Sequence, residues 1–445
     1  MNIGIIGGGI SGLTTAYFLN KKGYNCTVLE KQSKVGGCIS TEKIDGRIFE
    51  NGPNSLLLTS QHINFINELG LGEELLQALD TNKDRFVLKG GKYQILPSGP
   101  HNFFTNHFFS FSAKLKIITE FFRRNKPTEK IESLYDFFLR RFNKEICDYA
   151  LDPFVSGIYA GDPKKLVIKA AFPALYEAEK DYGSIIKGMI NQRKNSKAEG
   201  ASTERRKAYS FKNGLSVFTN KIAEQVDVKT SQEVKSISKI ESGFEVVTST
   251  ETFQFDKVVI ASNAIGTANF LKEMLPDVAQ KLENIPAPPM CVVHSIYKKS
   301  DAQNAPQGFG GLNPKVENVF TSGSIWTSSI FPNRTNSDEI LITTFVGGMQ
   351  NIEKTELSEK EVLASVHDEL SNTIEVSGEP VFQKYYKWNR AIPQYTEEVL
   401  ELWDSLENNP IEGLFISANW KGGISVPNCI DQAIELTKSF EELKK

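Results

Sequence analysis

The sequence predicts a mixed α/β and α+β chain in which one α/β domain is assembled from separated segments. Three observations predict it. A glycine-rich turn joins the first strand to the first helix, α/β patterning returns near residue 210, and a strand–turn–helix lies close to the C-terminus. At 445 residues the chain has room for about two or three domains, each with its own core.

Ile3, Ile5 and Ile6 form a short apolar run that reads as a buried strand. Gly7-Gly8-Gly9-Ile10-Ser11-Gly12 follows as G-x-G-x-x-G, Leu13 to Asn20 reads as a helix, and Cys26, Val28 and Leu29 read as a second strand with Glu30 at its end. In this Rossmann-like unit Gly7 permits the tight turn, Gly9 lets the backbone approach a pyrophosphate, and Gly12 lets helix and strand pack closely. The helix N-terminus offers N–H groups and the positive end of a dipole to the phosphates. Glu30 lies 18 residues after Gly12, near the separation expected of an acid that binds ribose hydroxyls. A carboxylate there repels a 2′-phosphate, which leaves FAD or NAD rather than NADP.

A second glycine pair follows in Lys31-Gln32-Ser33-Lys34-Val35-Gly36-Gly37-Cys38, and then comes Phe49-Glu50-Asn51-Gly52-Pro53-Asn54. This resembles the FAD-binding N-terminus of the amine oxidase and protoporphyrinogen oxidase superfamily. The resemblance implies that Gly36 and Gly37 let a loop run along the pyrophosphate and that Gly52, Pro53 and Asn54 lie near the flavin ring. It adds Ile10, Ser11 and Lys31 as neighbouring cofactor contacts. Many members carry a basic residue just after the glycine pair. Cys38 stands there in this chain and is expected to be a small buried thiol rather than a redox group.

The rest of the chain reads as alternating regions. Residues 1–80 are the first cofactor segment and end in a helix over about 60–80, with Ile63, Ile66 and Leu69 at helical spacing. Residues 81–209 are a helical, aromatic-rich region closing in the polar run NQRKNSKAEGASTERRK, expected to be a solvated loop. Residues 210–285 return to α/β patterning, with short strands between Val226 and Ile240 and a buried strand near 255–264. Residues 286–395 are strand-rich and read as a substrate-binding sheet domain. In the final segment, 396–445, Gly413 to Trp420 is a buried strand and Lys421-Gly422-Gly423-Ile424-Ser425-Val426 turns into a helix running through Lys438. In the superfamily that helix points its N-terminus at the flavin, which makes Ser425 and Val426 candidate backbone donors to the reduced ring.

Composition narrows the function. A net charge of −3 carries no global basic signature for nucleic acid. Five cysteines are scattered without metal-ligand spacing, so no metal site is expected, and a reducing cytoplasm suits them better than a disulfide framework. Met1 leads straight into the first strand, which sets the expectation of a mature chain starting here. No apolar run reaches the length of a transmembrane helix. The five histidines (62, 101, 107, 294 and 367) are dispersed and form no evident catalytic dyad.

Along almost its whole length the chain resembles the protoporphyrinogen oxidase family. The resemblance rests on Gly52-Pro53-Asn54-Ser55, Arg85-Phe86-Val87-Leu88 with Ile95-Leu96-Pro97, the run from Asp152 to Pro163 (DPFVSGIYAGDP), the run from Trp388 to Tyr395 (WNRAIPQY), and Gly422 to Pro427 (GGISVP), in family order. It implies a discontinuous Rossmann-like FAD domain, a mixed-sheet substrate domain and a helical domain for cavity or membrane contact. It implies a porphyrinogen substrate oxidised by three hydride transfers to FAD, with oxygen as acceptor and hydrogen peroxide as product. The resemblance places Arg85 at the family position that pairs with a propionate, which a guanidinium suits; read from the residue alone, Arg85 would be a surface ion pair. Gly157 is where the backbone approaches the reacting carbons, and the alternative is a plain loop glycine. Leu341, Thr343 and Phe345 alternate on a strand that could wall the macrocycle, and Val234 and Trp388 are further cofactor contacts.

Coproporphyrinogen III oxidation, another FAD-dependent amine or carotenoid-precursor oxidase, and a non-catalytic flavin sensor remain as alternatives. The stretch from His101 to Arg124 mixes phenylalanines with cations. It has two readings: peripheral contact with the inner face of the cell membrane, or a helix packing its aromatic side on the core. Hand-over of product to the next enzyme of the haem route is a further expectation of the resemblance.

Overall fold

The computed structural model describes residues 1–97, 99–124, 130–198 and 206–442. The chain divides into two compact units. The first comprises 1–77, 206–286 and 398–445, and the second 78–205 and 287–397.

The first unit is built on a five-stranded parallel sheet in the order Asp227–Lys229, Asn25–Leu29, Asn2–Ile6, Lys257–Ile260 and Leu414–Ile416. The first strand lies in the middle, and the chain moves first to one side of it and later to the other. That is a topological switch point, where open α/β sheets bind ligands at the carboxyl ends of their strands. The apolar residues expected on the first two strands are buried, with Ile3 opposite Cys26 and Ile5 opposite Val28. The helix Ile10–Lys21 crosses between these strands. It packs on the last helix, Val426–Glu442, through a core that includes Ile10, Leu13, Tyr17, Val426, Cys429 and Ile430.

Residues 60–80 differ from the single helix that periodicity predicts. The helix spans Ser60–Glu68 only, and Leu75–Gln77 is a strand pairing with Lys207–Phe211. Gly70 adopts φ +76, the left-handed conformation that ends helices, so the apolar period of Ile63 and Ile66 stops there.

In the second unit a seven-stranded mixed sheet runs Phe382–Trp388, Met290–Lys298, Glu339–Gly347, Gly323–Ile325, Gly310–Leu312, Phe86–Lys89, Lys92–Ile95. One face buries Phe86, Cys291, Val293, Tyr297, Trp326, Ile342 and Val346 against Val362, Val366 and Leu370 of the helix Glu359–Thr373. Side chains alternate across a strand, so Val292, His294, Ile296, Leu341, Thr343 and Phe345 share the other face. There the helix Asp152–Tyr159 packs through Gly157, where an added Cβ would meet Leu312 Cδ2 at 2.6 Å.

The helical region lies in the same unit as this sheet. The first part of its polar run, residues 191–198, is not the loop expected but the end of the helix Ile185–Ala198, and residues 199–205 of the run fall outside the described residues. Glu120 explains part of this. It is fully buried and accepts from the Ile185 and Ile186 amides (2.8 and 3.2 Å) and from Ser184 Oγ (2.9 Å), which caps the start of that helix. Buried Arg141 pairs with Glu120 at 3.1 Å and with Glu179, so the interior charges are compensated. Burial nevertheless pushes the Arg141 guanidinium down to about 10.

The stretch from His101 to Arg124 combines two environments. Phe108 and Phe109 are buried beside Val87, Ala113 and Ile146, whereas Phe111 is 80% and Phe122 73% exposed. Phe111, Leu115, Ile118 and Phe122 fall on one side of the helix Phe111–Phe121 and are all exposed, while Glu120 faces inward. Among the described residues no helix is long and apolar enough to cross a membrane.

Candidate functional site

The glycine loop leaves the switch point of the parallel sheet. Gly7 adopts φ +116, and a Cβ at Gly12 would lie 1.9 Å from the Gly7 carbonyl oxygen, so helix and turn touch where only hydrogen fits. Gly9 is the N-cap of the helix, with no side-chain cap. The first-turn amides, including those of Ile10, Ser11 and Gly12, have no acceptor one turn back and are available to an anion.

The second glycine pair docks on the first. The Gly36 amide donates to the Gly8 carbonyl at 2.9 Å, and a Cβ at Gly37 would lie 3.2 Å from Gly9 Cα. Gly52 packs against the next turn, where a Cβ would sit 1.9 Å from the Cys38 carbonyl oxygen. The backbone of Cys38 is therefore engaged, and its side chain is exposed rather than buried as expected. Glu30 ends the second strand buried, and its carboxylate accepts from the amides of Gly8 (2.7 Å) and Gln32 (2.8 Å). It clamps the glycine loop and retains lone pairs for a further donor. Lys31 follows it at the surface.

Further along, Pro53 is half-buried and Asn54 is 7% exposed. The Asn54 amide nitrogen donates to the Gly52 carbonyl at 3.2 Å, and its Oδ1 is buried without a partner among the described residues. That oxygen keeps its lone pairs for a donor on a bound group. Ser425 heads the last helix, and its Oγ accepts from the Asn428 amide at 3.2 Å, while Val426 begins the helix with no intrahelical acceptor for its amide. Val234 opens the strand Val234–Ile240 of a separate three-stranded meander in the same unit.

The remaining sequence-derived residues lie in the second unit. Leu341 is buried and Phe345 half-buried on the same sheet face. Phe345 pairs across with Gly323, which pairs with Leu312, so one row joins Phe345 to the residue on which Gly157 rests. Gly157 is inside a helix, not the loop glycine that was the alternative, and it is exposed alongside Phe154 and Ile158. Arg85 is half-buried with its guanidinium stacked 4.0 Å from the Phe309 ring centre. Trp388 ends the edge strand opposite Met290 and packs on Tyr386.

Sequence reasoning missed Leu312 and Asp152. Asp152 is buried and accepts from the Lys315 amide and from Gln350 Nε2, both at 2.7 Å. Burial raises its carboxyl pKa. The signal for Leu312 was the preceding Gly310-Gly311, the mark of a strand in close contact with its neighbours.

Comparison with known proteins agrees with this geometry. The model of the family described as flavin containing amine oxidoreductase matches residues 10–435. A mitochondrial protoporphyrinogen oxidase of Nicotiana tabacum is 31% identical, over 99% of this chain and 95% of that protein. A coproporphyrinogen III oxidase of Bacillus subtilis is 26% identical, over 96% and 95%. Among solved structures, a protein of Exiguobacterium sp. 255-15 superposes with a TM-score of 0.79 at 20% identity over 100% of this chain and 99% of that one. A cyclohexylamine oxidase of Brevibacterium oxydans reaches 0.68 at 17% over 99% of both. At these identities the structural likeness shows the fold.

The cofactor is FAD, and the first unit fits it: a glycine cradle in which Gly7, Gly12, Gly36 and Gly52 leave no room for side chains, a helix start without a side-chain cap, and a buried amide oxygen with no protein donor among the described residues. The chain belongs to the flavin containing amine oxidoreductase family and, within it, to the group that includes the protoporphyrinogen oxidases.

Proposed function

We propose that the chain oxidises protoporphyrinogen IX to protoporphyrin IX in haem synthesis. The observation that carries this reading is the likeness to protoporphyrinogen oxidases over the whole chain. Three two-electron steps remove six hydrogens from the macrocycle. FAD, when bound, accepts the hydride of each step and is returned to its oxidised form by oxygen, giving hydrogen peroxide. Three of the six hydrogens leave bridging carbons as hydride; the other three leave as protons to water, two of them net from ring N–H groups and one from the fourth bridging carbon.

The residues divide the remaining work. Gly7, Gly9, Ile10, Ser11, Gly12, Gly36 and Gly37 hold the diphosphate by backbone, and Glu30 takes ribose hydroxyls with its spare lone pairs. Asn54 Oδ1 accepts from the cofactor, and the amides of Ser425 and Val426 stabilise negative charge on the ring. Arg85, already oriented by its stack on Phe309, pairs with a propionate. Phe345 walls the macrocycle, and the Gly157 carbonyl accepts a hydrogen bond from a ring N–H.

The exposed apolar side of the helix Phe111–Phe121, with Lys116 and Arg124 nearby, makes peripheral contact with an anionic lipid surface. The oxidation is tested by anaerobic titration. Protoporphyrinogen IX should bleach the flavin of the loaded protein, and admitting air should restore its absorbance. A flavin that is not bleached contradicts the substrate, and one that stays bleached in air contradicts oxygen as acceptor.

A further inference from the structure

The segment from Trp388 to Tyr395 stands out in the sequence, yet the cofactor cradle and the sheet face give Gln394 within it no task. In the structure it closes the C-terminal end of the helix Asp152–Tyr159. Gln394 is fully buried, and its Nε2 donates to the carbonyls of Tyr159 (2.7 Å) and Ile392 (2.9 Å). The neighbouring carbonyls are also taken. That of Ser156 accepts from the Ala160 amide (3.0 Å), that of Ala160 from the Met349 amide (2.8 Å), and that of Gly161 from Gln350 Nε2 (3.3 Å). Among the described residues, the carbonyls of Gly157 and Ile158 receive no such donor, and both residues are exposed. They form the negative end of the helix dipole.

The Gln394 amide is held from its donor side alone. Its Oε1 is buried without a partner among the described residues, and a Cβ at Gly161 would lie 2.8 Å from it. Burying an unsatisfied acceptor costs stability, and an apolar side chain of the same shape would avoid that cost. What the amide supplies in return is a fixed last turn.

We propose that Gln394 is a positioning residue for the oxidation. It holds the last turn of the helix so that the Gly157 carbonyl meets a ring N–H of the macrocycle as the hydride leaves. This rests on the reading of Gly157 given above. Loss of hydride makes the macrocycle cationic and its N–H more acidic, and a fixed carbonyl stabilises both without reorganising. The carbonyl keeps the hydrogen bond, and the proton goes to water.

The test is anaerobic stopped-flow on the FAD-loaded full chain. Gln394→Met keeps the volume and removes the donors. It should slow flavin bleaching by protoporphyrinogen roughly 10- to 100-fold, as misplacement of a reacting group does. Reoxidation by oxygen and the Kd for FAD should match wild type. Gln394→Glu regains a donor when protonated, so its bleaching rate should recover as pH falls, and it decides the matter if the methionine variant does not fold. Wild-type bleaching in Gln394→Met, or an equal loss in bleaching, reoxidation and FAD affinity, overturns the proposal. Gly157→Ala separates the two readings. If it alone is slow, Gln394 has no positioning role and the reading of Gly157 stands. If no porphyrinogen bleaches the wild type, both fall.

Discussion

Arg85 and His294 sit on the same sheet domain and illustrate opposite uses of a charge-bearing side chain. Arg85 stacks on Phe309 and stays half-buried, so its planar fork is pre-ordered at little further entropic cost. Replacing it with leucine should raise the KM for porphyrinogen roughly 10- to 100-fold, the worth of a charge-assisted hydrogen-bond pair, with kcat much less affected. Steady-state porphyrin fluorescence measures both, and an unchanged KM would remove Arg85 from the substrate site. His294 is fully buried and bonded to Thr343 at 3.1 Å. Burial, with Lys384 adding to it, pushes its pKa down to about 3. The unfolded chain protonates this histidine near pH 6.5 while the folded protein refuses the proton. Stability from this residue is therefore lost as pH falls from about 6.5 towards 3, by at most about 1.4 kcal/mol per pH unit. In His294→Gln the urea midpoint should depend less on pH between 7 and 5, and an unaltered slope would contradict the assignment.

The helix Phe111–Phe121 inverts the usual amphipathic arrangement, with its acid inside and its rings outside. Glu120 is held by four donors, so the helix cannot roll to bury its apolar side without stranding a carboxylate. The rings are thus committed to the surface. Phe111→Ser with Phe122→Ser should leave the melting temperature and porphyrinogen turnover in detergent near wild type and abolish flotation with anionic liposomes. Flotation unchanged by the double substitution would contradict the lipid contact. The sequence offered both the aromatic and the membrane reading of this stretch and could not divide them, because the division depends on the distant Arg141 and Ser184. The same limit explains the helix over 60–80. Ile63 and Ile66 carry the period, but the left-handed turn at Gly70 and the pairing of Leu75–Gln77 with Lys207–Phe211 end it. Cys38 likewise could be read only from its size, whereas the docking of its carbonyl on Gly52 leaves the side chain outside.

For the whole molecule, the parallel sheet and its glycine loop were legible because strand, turn, helix, strand and acid occur within thirty residues of chain. The mixed sheet was legible as strands but not as an order, since Phe86–Lys89 pairs on one side with Gly310–Leu312, more than two hundred residues away. The glycines of the two loops and the acid at the strand end could be named as cofactor candidates from local spacing. The row joining Phe345, Leu312 and Gly157 could not, because register across three strands creates it. Oxidation of a porphyrinogen, with protoporphyrinogen IX preferred, is decided by porphyrin fluorescence in air from the FAD-loaded protein, given protoporphyrinogen IX and coproporphyrinogen III in parallel. Faster appearance of protoporphyrin is the result predicted. Faster appearance of coproporphyrin would contradict the substrate while keeping the chemistry, and no fluorescence from either would contradict the function itself.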